Sequence, residues 1–267
     1  MAMRDHLNEA VYSLRRSAIR EFSAMAAARK DCVRLTLGEP DFATPEPICK
    51  AALESVFSGD THYIENNGSR ELLGRVAQFE KNKNGLGYEA DEIILTAGAT
   101  EALFVSLLGI LNPGDEVIIP QPSYVCYEPI TQLVGGVPVI LETKPENDFK
   151  VTPEELRSLI TPRTRALMLP YPCNPTGGIM GMKDLEALAE VLRGTDIMVV
   201  SDEIGGDYAR ASALSSWAHD LRAFLWWCAN EQSALIMTPY DWNAVERELG
   251  LFRLDGSKKP VCEKLGA

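Results

Sequence analysis

The first 204 residues of this chain contain no tryptophan, while all four, Trp217, Trp226, Trp227 and Trp242, fall in the remainder. So abrupt a shift in composition marks a boundary near residue 204. Paired metal-ligand spacings are missing too: Cys32, Cys49, Cys126, Cys173, Cys228 and Cys262 form no C-x-x-C pair, and only His6, His62 and His219 could join them. No metal site is therefore expected. Apolar runs of the ~18 residues that a membrane helix requires are absent, and the opening MAMRDHLNEAVYSLRRS has no apolar core of signal-peptide length. These absences point to a cytoplasmic protein with reduced thiols and no membrane partner. Basic residues are in deficit, 26 against 38 acidic, for a net charge of −12. That balance excludes nonspecific binding to nucleic acid or to an anionic lipid surface, and its simplest role is solubility.

What is present is patterned. A 267-residue chain that is 46% apolar is long enough to bury a substantial core. From Asp91 onward, β-rich runs alternate with helical ones: EIILTA at Glu92, EVIIP at Glu116, VPVILE at Val137, RALMLP at Arg165 and DIMVVSDE at Asp196. Between them, the segments starting at Ala99, Ser123, Thr152 and Met182 carry apolar residues at helical spacing. The alternation predicts an α/β domain with a mostly parallel sheet and flanking helices. Thr152, Pro153 and Glu155 predict a capped helix start. Two further helices are expected at about Glu46–Val56 and Ser69–Lys83, and there is no internal repeat.

Four segments could carry chemistry. The small-residue turn Thr96-Ala97-Gly98-Ala99-Thr100 opens a helix, so its amides and the Thr100 hydroxyl can cradle an anion, although such turns also serve packing alone. Tyr124 follows the next strand and can present a flat aromatic face or fill a core. Asn174 follows the strand at Arg165, and Asp202 ends the strand at Asp196; singly, they read as a turn residue and a strand-end cap. Together they leave the C-terminal ends of parallel strands, where ligands of open α/β sheets bind. An anion cradle, a stacking face, an amide donor and a carboxylate suit a phosphorylated aromatic ring such as pyridoxal 5'-phosphate (PLP), whose protonated ring nitrogen makes it an electron sink.

The segments Leu37–Phe42 (LGEPDF), Tyr63–Gly68 (YIENNG), Ala97–Ala102, Pro122-Ser123-Tyr124, Asn174–Gly177 (NPTG) and Ser201–Ile204 (SDEI) resemble the motifs of fold-type I, class I/II PLP-dependent aminotransferases. The likeness runs over residues 1–204, an N-terminal arm followed by a PLP-binding large domain. It implies transfer of an amino group between an amino acid and a 2-oxo acid. It also implies that Gly98, Ala99 and Thr100 hold the phosphate, Tyr124 stacks on the ring, Asn174 meets the phenolic oxygen and Asp202 the ring nitrogen, while Gly38 lies against the substrate carboxylate. A tyrosine in the position of Tyr63 reaches the phosphate of the neighbouring subunit, which implies a homodimer.

The likeness then breaks. The family places a tyrosine after Asp-Glu-Ile, where this chain has Gly205, and a Schiff-base lysine roughly 30 residues further on, whereas the only lysines after Asp202 are Lys258, Lys259 and Lys264. No catalytic residue is therefore assigned, covalent attachment of PLP is not expected, and the large domain is expected to be incomplete. Residues 205–267 resemble instead the C-terminal end of a (β/α)8-barrel glycoside hydrolase, with Glu203-Ile204-Gly205 at the junction. A retaining glycosidase needs a second carboxylate about 5 Å away on a closed barrel, and the strands for one are absent. The expectation is a truncated or chimeric aminotransferase-family chain, inactive as it stands, with a tail of different origin. Two alternatives are a noncatalytic PLP-binding or dimerising remnant and a fusion product without a stable fold.

Overall fold

A computed structural model describes residues 8–14, 18–32, 43–203 and 224–228. The chain divides into two units, residues 1–44 and 45–267. Within the first, α1 (Glu9–Ser13) is capped by the Asn8 side chain, which accepts from the Ala10 amide at 2.8 Å, and α2 covers Ala18–Ala27.

The second unit opens with α3 (Glu46–Phe57) and α4 (Arg70–Asn84). Ser69 caps α4 by accepting from the Leu72 amide, and Gly85 ends it in the left-handed conformation at φ +71°. There follow α5 (Ala99–Ile110), β1 (Glu116–Gln121), α6 (Tyr127–Leu133), β2 (Val137–Glu142), α7 (Pro153–Leu159), β3 (Thr164–Leu169), α8 (Met182–Leu192), β4 (Met198–Glu203) and β5 (Phe224–Cys228). All described pairings are parallel, in the order β2-β1-β3-β4-β5.

The strands are apolar on both faces because helices cover both. Val117, Ile119, Ala166, Met168 and Val200 point to one side, against Leu103, Leu107 and Leu111 of the α5 region and Tyr127 and Ile130 of α6. Their neighbours Ile118, Leu167, Leu169 and Val199 point to the other, against Leu156 of α7 and Leu185, Leu188 and Leu192 of α8. The expected mostly parallel α/β layer is thus observed.

Two expectations are corrected. The run EIILTA is not a strand: Ala90–Glu92 forms a 3-10 turn and residues 93–96 are extended without a ladder partner among the described residues. β propensity alone does not make a strand; a neighbouring backbone is needed. Here the Leu95 amide instead donates to the Asn67 carbonyl at 2.9 Å. Gly68, at φ +118°, permits this approach, since a Cβ there would lie 2.7 Å from Leu95 Cδ1. The helix expected from Ser123 begins only at Tyr127, because Pro129 has no amide hydrogen and fits only in a first turn.

Candidate functional site

Each parallel strand ends at the same sheet edge, and α5, running back to the start of β1, brings its N-terminus there as well. Gly98 precedes α5 at φ +95°, a conformation costly for any residue with a Cβ, and a Cβ placed there would meet nothing within 4 Å. The turn is held from both sides: the Thr96 hydroxyl donates to the Gly98 carbonyl at 2.9 Å, and Glu101 reaches back to accept from the Ala97 amide at 2.5 Å. Gly98 has no side chain to cap the first amides of this twelve-residue helix. Ala99 is buried under the turn and Thr100 exposed beside it.

Three of the expected site residues belong to one network. Thr100 Oγ1 lies 3.3 Å from the Tyr124 hydroxyl, and the Tyr124 ring meets that of Tyr127 edge-on, with centroids 5.6 Å apart and planes at 79°. The Tyr127 hydroxyl then donates to Asp202 Oδ2 at 2.5 Å, across 75 positions of sequence. Tyr127 is 3% exposed. Burial, reinforced by the Asp202 charge and the hydrogen bond to it, pushes its ionisation well above the ordinary tyrosine range, so the hydroxyl stays a donor.

Asn174 is exposed on the loop after β3. That loop is drawn to the Tyr124 loop by Cys173, whose Sγ donates to the Pro122 carbonyl at 3.3 Å. It is anchored behind by Tyr171, whose hydroxyl donates to the Phe149 carbonyl at 2.8 Å and accepts from the Val151 amide at 3.1 Å. Tyr63 stands fully exposed, outside the tyrosine network. Gly38 lies outside the described residues. Tyr127 was missed in the sequence; the signal available was its i, i+3 spacing from Tyr124 at a helix start, which puts both rings on one side. Among the described residues no group of three or more histidine, cysteine, aspartate or glutamate side chains could hold a metal ion.

A parallel sheet covered by helices on both faces, with a helix start, two tyrosines and a carboxylate linked at one edge, is the arrangement of open α/β proteins whose ligands lie at the carboxyl ends of the strands. Comparison narrows it: residues 30–237 match the class I and II aminotransferases, and the chain belongs to that family. It is 41% identical over 199 residues to the probable N-acetyl-LL-diaminopimelate aminotransferase of Bacillus subtilis, covering 74% of this chain and 50% of that one. It is also 41% identical over 175 residues to an arginine–pyruvate transaminase of Pseudomonas aeruginosa, covering 66% of this chain and 44% of the relative. The aspartate aminotransferase of Thermus thermophilus, solved with maleate, superposes with a TM-score of 0.71 at 41% identity, over 74% of this chain and 53% of the other. The chain spans about half the length of the curated relatives it matches. The family match continues past residue 204 to residue 237, and β5 extends the same sheet. The likeness of residues 205–267 to a barrel hydrolase draws no support from these comparisons. Apart from the backbone of β5, that tail lies outside the described residues.

Proposed function

We propose that this chain forms a PLP seat of the aminotransferase kind at the carboxyl edge of its sheet. The observation that carries the reading is the continuous link Thr100–Tyr124–Tyr127–Asp202, which joins the uncapped start of α5 to a carboxylate at the end of β4. Gly98, Ala99 and Thr100 take the phosphate, Tyr124 the ring face, Asn174 the phenolic oxygen and Asp202 the ring nitrogen. Gly38 serves the substrate carboxylate. The fit is chemical: amides at a helix start suit a dianion, and a carboxylate suits a pyridinium. Bound there, PLP would supply an electron sink for moving an amino group between an amino acid and a 2-oxo acid. The relatives named above carry the names of different amino-acid substrates at equal identity.

Residues 204–257 contain no lysine. The chain therefore holds PLP without a covalent link and lacks the base that amino transfer requires, so it is inactive as it stands. It is a cytoplasmic homodimer in which Tyr63 serves the partner's site; Phe57 at 86% and Ile64 at 60% exposure give that stretch apolar surface to bury. β5 pairs with β4 and the family match runs to residue 237, which supports a large domain that reaches past residue 204.

The test is titration of the full chain with PLP, followed by borohydride reduction, peptide mapping and light scattering of the same sample. The expected result is saturable binding to a dimer with no reduced lysine adduct. A modified Lys258 or Lys259 overturns the noncovalent reading, and absence of binding overturns the seat itself.

A further inference from the structure

We propose that Tyr127 is the positioning residue for Asp202, holding its carboxylate in the orientation that meets the ring nitrogen of PLP; this rests on the seat proposed above. Asp202 sits near the end of β4, where a strand-end side chain can turn toward the ligand or toward solvent. Tyr127 removes that freedom. Its ring is locked in the core formed by Leu103, Leu107, Ile130 and Met168, and its edge abuts Tyr124. From this packing its hydroxyl donates to Oδ2 of Asp202. The donor is therefore fixed by the same packing that fixes α6 against the sheet, and the acceptor must come to it.

Two consequences follow from the chemistry. A neutral donor on a carboxylate favours its ionised form, and an ionised Asp202 is what stabilises a protonated ring nitrogen. The edge contact also couples the stacking face to the carboxylate, since Tyr124 cannot tilt without disturbing the ring that orients Asp202. Removing one oxygen, as in Tyr127→Phe, leaves the packing and takes away the orientation.

The experiment measures PLP affinity of the full-length chain for wild type, Tyr127→Phe, Asp202→Asn and the double variant, together with the NMR shift of the ring nitrogen of bound, labelled PLP. Tyr127→Phe is expected to weaken PLP by about tenfold, the scale of one hydrogen bond to a charged group. On the Asp202→Asn background it should weaken PLP no further, because it acts through the carboxylate. The ring-nitrogen resonance should move toward the unprotonated value. Asp202→Glu, which keeps the charge but displaces it from the Tyr127 hydroxyl, gives an independent check should Tyr127→Phe fail to fold; wild-type affinity in that variant overturns the proposal. Equal losses from Tyr127→Phe in both backgrounds make Tyr127 a packing residue and overturn the proposal while the seat stands. No binding by wild type sinks both.

Discussion

Glu116 is a carboxylate at the buried start of β1, 4% exposed, and it survives there because its oxygens are occupied. Oε2 accepts from the Thr161 hydroxyl at 2.5 Å, and Oε1 from Arg163 Nη2 at 2.6 Å and Nε at 2.9 Å. The Thr161 hydroxyl first, and then Arg163, holds its pKa below the ordinary glutamate value. The Arg163 side chain is 73% exposed, so solvent screens the ionic part and the hydroxyl carries much of the effect. A depressed carboxyl pKa adds stability above the unfolded value of about 4.3, and that stability disappears as pH falls through the folded value. Chemical denaturation of Glu116→Gln across acid pH should accordingly show lower stability at neutrality and a flatter acid limb than wild type. Parallel curves would assign the acid limb to other carboxylates. The pairing of residues 45 positions apart is invisible in the sequence, as is that of Tyr127 with Asp202. Thr100, Tyr124 and Asp202 can be singled out because each follows or ends a periodic run, whereas Tyr127 lies within the helical run that starts at Ser123.

At the scale of elements, four of the five described strands follow from apolar runs bounded by turn residues. α7 follows in detail: Thr152 Oγ1 accepts from the Glu155 amide while Glu155 reaches back to the Thr152 amide, both at 3.2 Å. These features are local, which is why they could be read. EIILTA failed as a strand because its identity depends on a partner that no local pattern supplies. α5 matters most to the site, since its buried side sets where its N-terminus points. Leu107, with no exposed surface, packs beneath it between Leu103 and the sheet. Leu107→Ala should cost about 2–5 kcal/mol in urea or thermal unfolding, the range for emptying a core leucine site. A loss under about 1 kcal/mol would mean that α5 collapses into the gap. PLP affinity should fall alongside, through displacement of Gly98–Thr100.

For the whole molecule, the question is where the folding unit ends. Composition places a boundary at residue 204, yet β5 pairs with β4 from Val199 opposite Phe224 to Glu203 opposite Cys228. A chain cut after Glu203 would leave the edge of β4 unpaired, and unpaired edges recruit other chains. The expected outcome is aggregation, or a lowered and broadened thermal transition, for a chain ending at residue 203, and near-normal cooperativity for one ending at residue 237. Equal behaviour of the two would place the boundary at 204 and make β5 dispensable. Phe224–Cys228 is a strand, but it joins β4 and not a hydrolase barrel, because an apolar run does not announce which sheet it will join.

The position of β5 also bears on synthesis. The strands β1 to β4 can assemble once residue 203 has left the ribosome, but the neighbour that pairs with β4 among the described residues waits for residue 228. At about 5–20 residues per second the newborn sheet keeps an uncovered flank for a second or more. A neighbouring nascent chain on the same messenger, at the same stage, presents an identical flank, so the yield of folded protein should depend on how densely ribosomes are loaded.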